Sequence, residues 1–214
     1  VVHYCRSSWC AEGQWKSSSL KSFGMGEYSS DLMISAATFR SEGSWSTGKY
    51  YPLIILEDLE KGCCYYFENE CSNNWEIELT KKIDCLGVNI NSCNNNHDGW
   101  FVELKPGEEY STTAAFYGKV YGGFEKAVRD LSVYKRNNAD VKWKDGHAPL
   151  VYNNFMGATW LSPDARLIDL INKSAELGCE VFCIDDGWFK PKYETEADIG
   201  DYIADDERFS PFSF

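Results

Sequence analysis

From residue 31 to residue 116 the chain never settles into a helical period. It runs instead through seven short stretches rich in aromatic and β-branched residues, at 31–40, 51–57, 64–69, 75–81, 86–90, 100–104 and 110–116, each bounded by polar or turn-forming residues. Runs of that length and spacing predict antiparallel strands, and seven of them predict two packed sheets, a β-sandwich. The breaks have turn chemistry: Glu60-Lys61-Gly62, the Asn94-to-Gly99 cluster and Lys105-Pro106-Gly107-Glu108. Aromatic residues make up 15% of the chain. Trp45, Trp75 and Trp100 fall in this region and are expected to serve the core.

At Gly123 the period changes. Phe124, Val128 and Leu131 recur at helical spacing with Ala127 beside them, which predicts a connecting helix over 123–134. The β-sandwich domain is therefore placed at 1–134, and the polar stretch 135–148 is read as a linker. Beyond it the order becomes strand, helix, strand. Residues 150–155 form a short apolar run, and Ser162-Pro163 supplies an N-cap and a first helical position. Leu167, Ile168, Ile171, Ala175 and Leu177 then repeat at three and four, and Gly178 ends the helix. The apolar run at 180–184 predicts a covered strand of a parallel sheet, so residues 149–214 are expected to open an α/β domain. Cys179 and Cys183 are expected on one face of that strand.

Charge removes several classes of partner. Lys plus Arg is 21 against 33 for Asp plus Glu, a formal net charge of −12, which repels phosphate backbones and anionic membrane surfaces. Neither a nucleic-acid nor a membrane partner is expected, and no apolar run is long enough to span a bilayer. The nine cysteines are an odd set without a C-x-x-C pair, which suits reduced thiols and a cytoplasmic location. His3, His97 and His147 lie in turn-like or linker segments and are expected at the surface. Asn172-Lys173-Ser174 matches a glycosylation acceptor by accident of a helical stretch.

The chemistry is concentrated in Cys183-Ile184-Asp185-Asp186-Gly187-Trp188-Phe189. Ligands of parallel α/β sheets sit beyond the carboxyl ends of the strands, so Asp185 and Asp186 are placed at the mouth of a site. Two carboxylates there can accept paired hydroxyls of a sugar, and Trp188 can pack on the apolar face of a pyranose. Helix capping and a hard-cation site are the competing readings of the acids. No further carboxylate cluster at suitable spacing supports a metal, and none is expected.

These residues and their surroundings resemble glycoside hydrolase family 36, in which a β-supersandwich precedes a (β/α)8 barrel. The D-D-G-W motif at the end of an early barrel strand is matched by Asp185 to Trp188. Ala175-Glu176-Leu177-Gly178 leading into Phe182, and Ile199-Gly200-Asp201-Tyr202 downstream, are similar to further landmarks. So are Ser46-Thr47-Gly48, Leu56-Glu57-Asp58, Asn74-Trp75 with Glu78, and Leu104 to Glu108. The resemblance covers about residues 25 to 210. It implies an α-galactosidase-like retaining hydrolase of terminal α-linked galactosides, without a cofactor and homo-oligomeric when full length.

By the same resemblance Asp185, Asp186 and Trp188 bind the terminal sugar, while the two catalytic aspartates belong to later barrel strands, beyond residue 214. No catalytic residue is assigned. The chain does not begin with Met, and only the opening of the barrel is expected in it, so a piece of a longer protein, inactive alone, is expected. Asn153-Asn154-Phe155-Met156-Gly157 departs from the family's N-x-W-E strand, and Tyr202 stands where tryptophan is usual. An α-N-acetylgalactosaminidase or a transglycosidase of the family is the nearest alternative reading. A non-catalytic carbohydrate-binding sandwich is the alternative from another class.

Overall fold

The structure is a computed structural model that describes residues 1–26, 34–83, 85–138, 146–155, 164–185, 188–189, 191–193, 196–197 and 203–205. The chain forms two compact units, Val1–Asn138 and Ala139–Phe214.

The first unit is mostly antiparallel sheet. Its strands are β1 (Val2–Ser7), β2 (Gln14–Ser18), β3 (Ile34–Arg40), β4 (Lys49–Asp58), β5 (Cys63–Asn69), β6 (Glu76–Lys82), β7 (Cys85–Asn91) and β8 (Ala115–Tyr121). A one-turn helix α1 (Asn95–Asp98) follows β7, and α2 (Phe124–Asn138) follows β8. Five strands form one sheet in the order β2-β1-β4-β5-β8, and three form another in the order β3-β6-β7.

β4 shows how the layers are built. Its Ile54 joins Val2, Phe39, Trp75, Ile77 and Leu79 in a core between the two sheets. Its Leu53 and Ile55, pointing the other way, pack with Cys64, Val120, Ala127 and Leu131 beneath α2. A central strand covered on both faces must read as a continuous apolar run, and Leu53-Ile54-Ile55-Leu56 does. Pro52, which cannot donate to a ladder, sits where the β1–β4 register slips between Tyr4 and Arg6 and before pairing with β5 begins at Leu53. At the far edge Gly118 of β8 lies opposite Tyr66; a Cβ there would stand 2.2 Å from the Tyr66 hydroxyl oxygen, so the glycine makes room for the ring.

Several expectations change. β1 and β2 were not anticipated, because β1 carries His, Cys, Arg and Ser in a strand with neither alternation nor an apolar run, and β2 is a polar edge strand. Residues 100–104 form no strand and are exposed; β8 starts at Ala115, not 110, and continues to Tyr121. Of the expected strand 31–40, residues 31–33 lie outside those described. Trp75 is a core residue at 2% exposure, but Trp45 and Trp100 are exposed. His3 is buried in β1, stacked on Phe124, with Nδ1 2.8 Å from Ser17 Oγ and Nε2 2.9 Å from Glu57 Oε2. Pairing at both nitrogens lets an imidazole sit inside. The helix α2 runs to Asn138, because Leu131 and Lys135 continue its packed face.

The second unit contains a parallel pair, β9 (Val151–Asn153) and β10 (Val181–Cys183), joined through the helix α3 (Asp164–Glu176). The register is Val151↔Val181, Tyr152↔Phe182 and Asn153↔Cys183. Gly178, at φ +89°, ends α3 with its N–H on Ala175 O while the Cys179 N–H reaches Ser174 O. Cys179 thus belongs to the helix terminus and does not share a strand face with Cys183. Val181 is 43% exposed, so the expected cover on both faces of β10 is not found among the described residues. Ser162 and Pro163 fall outside the described residues. A short hairpin follows, β11 (Pro191–Tyr193) with β12 (Glu196–Ala197).

Candidate functional site

The acidic motif begins two residues past the end of β10, and two asparagines from the end of β9 hold it. Because Asn153 pairs with Cys183 in parallel register, the residues after each strand leave the sheet side by side. Asn154 is buried; its backbone N–H donates to Cys183 O at 3.2 Å, and its side-chain Oδ1 accepts the backbone N–H of Asp185 at 2.7 Å. Asn153 donates its Nδ2 amide to Asp185 Oδ2 and accepts the Phe155 N–H on Oδ1 at 2.8 Å. One amide therefore fixes the backbone of Asp185 and the other fixes its carboxylate. A carboxylate held by an amide at a strand end is fixed in direction, and carboxylates accept hydroxyl hydrogen bonds.

Trp188 is half-buried, its ring edge-on to Phe189 at 5.7 Å between centroids. Its carbonyl accepts the Asp205 N–H at 3.0 Å, and Phe189, which is buried, bridges to Ala204. The strand-end segment is thus tied to residues well downstream of it. Asp186, the second acid of the motif, lies outside the described residues. So do Asp201 and Tyr202. Among the described residues no group of three or more His, Cys, Asp or Glu side chains is arranged for a metal ion.

Sequence reasoning marked Asn153 and Asn154 only as part of a departure from a family pattern. Their role was accessible from register: in a parallel pair, polar side chains just past one strand face those just past its neighbour. Farther back, Glu180 closes the opposite end of β10, its Oε1 taking the Leu150 N–H at 3.2 Å and facing His147 Nε2 at 3.1 Å. These bonds hold the Glu180 carboxyl below its ordinary range, the Leu150 amide first and His147 second.

The first unit has polar chemistry of its own. Glu68 is 4% exposed and ion-paired with Lys135, whose ammonium also sits 5.3 Å from the centre of the Tyr51 ring. Burial pushes the Glu68 carboxyl up, with Lys135 opposing. One of its oxygens, Oε2, has no hydrogen-bond partner among the described residues. A cavity of about 220 Å³, walled by Trp15, Tyr51, Leu131 and Lys135, lies next to this pair.

The likeness to glycoside hydrolase family 36 read from the sequence is borne out by comparison with known proteins. Residues 110–212 match the family model for Melibiase. Alpha-galactosidase 1 of Pediococcus pentosaceus is 28% identical over 182 residues, 80% of this chain and 24% of its own length. Alpha-galactosidase 2 of Hypocrea jecorina is 30% identical over 167 residues, 75% of this chain and 22% of its own length. The solved structure of the GH36 alpha-galactosidase AgaA of Geobacillus stearothermophilus in complex with raffinose superposes on 97% of this chain and 28% of that one, with a TM-score of 0.75 at 20% identity. The chain spans about a quarter of the length of the curated relatives it matches.

Proposed function

We propose that the whole protein is a retaining hydrolase of terminal α-linked galactosides, and that Asp185, Asp186 and Trp188 hold the terminal sugar. In this reading β9, α3 and β10 are the first two strands and first helix of a (β/α)8 barrel, and the acids stand at its carboxyl-end mouth. The observation that carries it is the fixing of Asp185 by Asn153 and Asn154 at the end of a parallel strand. Family names support the substrate class, since the relatives are called alpha-galactosidases and AgaA was solved with raffinose.

The division of labour follows from distance. Retaining hydrolysis needs two carboxyls roughly 5 to 5.5 Å apart across the anomeric carbon, one attacking and one donating a proton. Neighbours in one chain segment diverge, so Asp185 and Asp186 bind and do not react. The nucleophile and the acid/base are assigned to other strands of the barrel, and none of the residues of this chain takes either role. The reaction needs only those carboxyls and water, so the proposal includes no cofactor. The odd set of nine cysteines without a C-x-x-C pair supports a reducing, cytoplasmic location.

The test is hydrolysis of an aryl α-galactoside by the protein expressed from the whole coding region that contains these residues. Asp185→Asn replaces a charge-assisted acceptor by a neutral amide and should lower kcat/KM by about a hundredfold or more. A change smaller than threefold, in a protein that still folds, would remove Asp185 from the sugar site. Raffinose binding without turnover in the wild-type protein would favour the binding-module alternative. Faster turnover of the N-acetylgalactosaminide than of the galactoside would move the substrate within the family. The 214-residue chain alone should release no aryl alcohol above background.

A further inference from the structure

Away from the acidic site, two thiols are placed for chemistry that the proposed hydrolysis does not use. Cys71 follows β5 in the turn that leads to β6, and Cys93 follows β7 in the turn that leads to α1. The Cys71 thiol lies against Asn73 Oδ1, and both thiols also reach one shared acceptor. The backbone oxygen of Asn74 lies 3.5 Å from Cys71 Sγ and 3.4 Å from Cys93 Sγ. Two sulfurs that share an oxygen at those lengths are at most about 7 Å apart, and closing a bond between them requires rotation about each Cα–Cβ bond. The backbone around them is pinned: Trp75 N–H donates to Ser41 Oγ at 3.1 Å, and Asn74 Nδ2 donates to Asp98 Oδ1 at 2.7 Å.

We propose that Cys71 and Cys93 are an oxidation-dependent crosslinking site that ties the two sheets of the sandwich together. β5 belongs to the five-stranded sheet and β6 with β7 to the three-stranded one, so the bond would clamp the β6–β7 hairpin to the end of β5. The co-reactant is a small-molecule disulfide such as oxidised glutathione. Cys93 is half-buried and Cys71 buried, so the Cys93 thiolate attacks first and expels one small thiolate. Cys71 then attacks the Cys93 sulfur of the mixed disulfide and expels the second. The protein gives up two protons and two electrons, and the reagent leaves as two thiols. Burial, then the Asp98 carboxylate, pushes the Cys93 thiol up, so the exchange is slow at neutral pH. Of the remaining thiols in the first unit, Cys5, Cys63 and Cys64 are buried and Cys10 and Cys85 are exposed.

The experiment uses the 214-residue chain with Cys10 and Cys85 changed to Ser, equilibrated against graded mixtures of reduced and oxidised glutathione, alkylated, and mapped without reduction. The expected result is a crosslinked peptide pair containing Cys71 and Cys93, with the thermal midpoint raised by about 5 °C over the reduced form. Cys93→Ser, and separately Cys71→Ser, should abolish both the crosslink and the rise. Cys93→Ser should keep the reduced midpoint, since its side chain is only half-buried. The proposal is overturned if both thiols remain alkylatable at the most oxidising poise, if either bonds to a different cysteine, or if the linked form melts no higher than the reduced one.

Discussion

In Val1–Asn138 a strand such as β4 is covered on both faces, by a second sheet on one side and by α2 on the other. In Ala139–Phe214 the parallel pair leaves Val151 and Val181 roughly half exposed, and Leu150, Ile168 and Leu177 are exposed too. The contrast follows from the kind of sheet. Antiparallel strands joined by short turns can close a sandwich with their own neighbours, whereas parallel strands need helices and further strands on both faces before their apolar runs are buried. The first unit therefore carries its own stability, and the second carries a candidate site whose framework is two strands and two asparagine side chains.

Hydrogen exchange should show the largest difference. Amides of Ile54 and Ile55 in β4 should exchange roughly ten-thousand-fold more slowly than those of β9 and β10, a gap of about 5.5 kcal/mol between opening events. Uniform strong protection from 150 to 190 would break the comparison. Side-chain truncation should follow the same division. Trp75 is packed between the sheets with its indole N–H on Ser46 O, so Trp75→Ala should cost about 3 to 5 kcal/mol in urea unfolding of the first unit. Leu177→Ala, at a largely solvated position, should stay within about 0.5 kcal/mol.

The same physical division governed what could be read from the sequence. Strands with a covered apolar face, β4 to β6, and the helices α2 and α3 were legible because burial imposes a period or an apolar run. β1 was not, because beside Val2 its interior places went to His3, Cys5 and Ser7, and the burial of His3 depends on Glu57, a partner far away in the chain. Residues 100–104 misled in the opposite sense: Trp100, Phe101, Val102 and Leu104 have the composition of a strand, but no ladder pairs with them among the described residues. At the site, Asp185 and Trp188 stood out by residue type. Asn153 and Asn154 did not, since only the parallel register brings them to the acid.

Smaller effects test the electrostatics of each unit. Lys135→Met leaves Glu68 buried without its cation and should cost about 2 kcal/mol at neutral pH, below the usual figure for a buried pair because Lys135 is partly solvated. Adding Glu68→Gln to that variant should recover most of the loss. Alone, Glu68 has a folded pKa above its unfolded one, so its favourable contribution is complete below the ordinary carboxylate range and is lost as pH rises through the raised value. Glu68→Gln should flatten that stretch of the stability profile. An unchanged slope in the variant would show that Glu68 is not the group responsible.

Glu180 in the second unit carries the opposite sign. Its carboxyl is held below the ordinary range by the Leu150 N–H and then by His147, so what it adds is present above the ordinary carboxylate value and disappears as pH falls through the depressed one. The group is exposed, and the effect is the smallest of the set. Its readout is local: the Leu150 amide should exchange faster on acidification, and Glu180→Gln, which keeps an acceptor oxygen but loses the charge, should raise that rate severalfold at neutral pH while leaving the β4 amides untouched. If the β4 amides accelerated equally, the two units would be opening together, and the distinction between a self-sufficient sandwich and a dependent parallel pair would have to be given up.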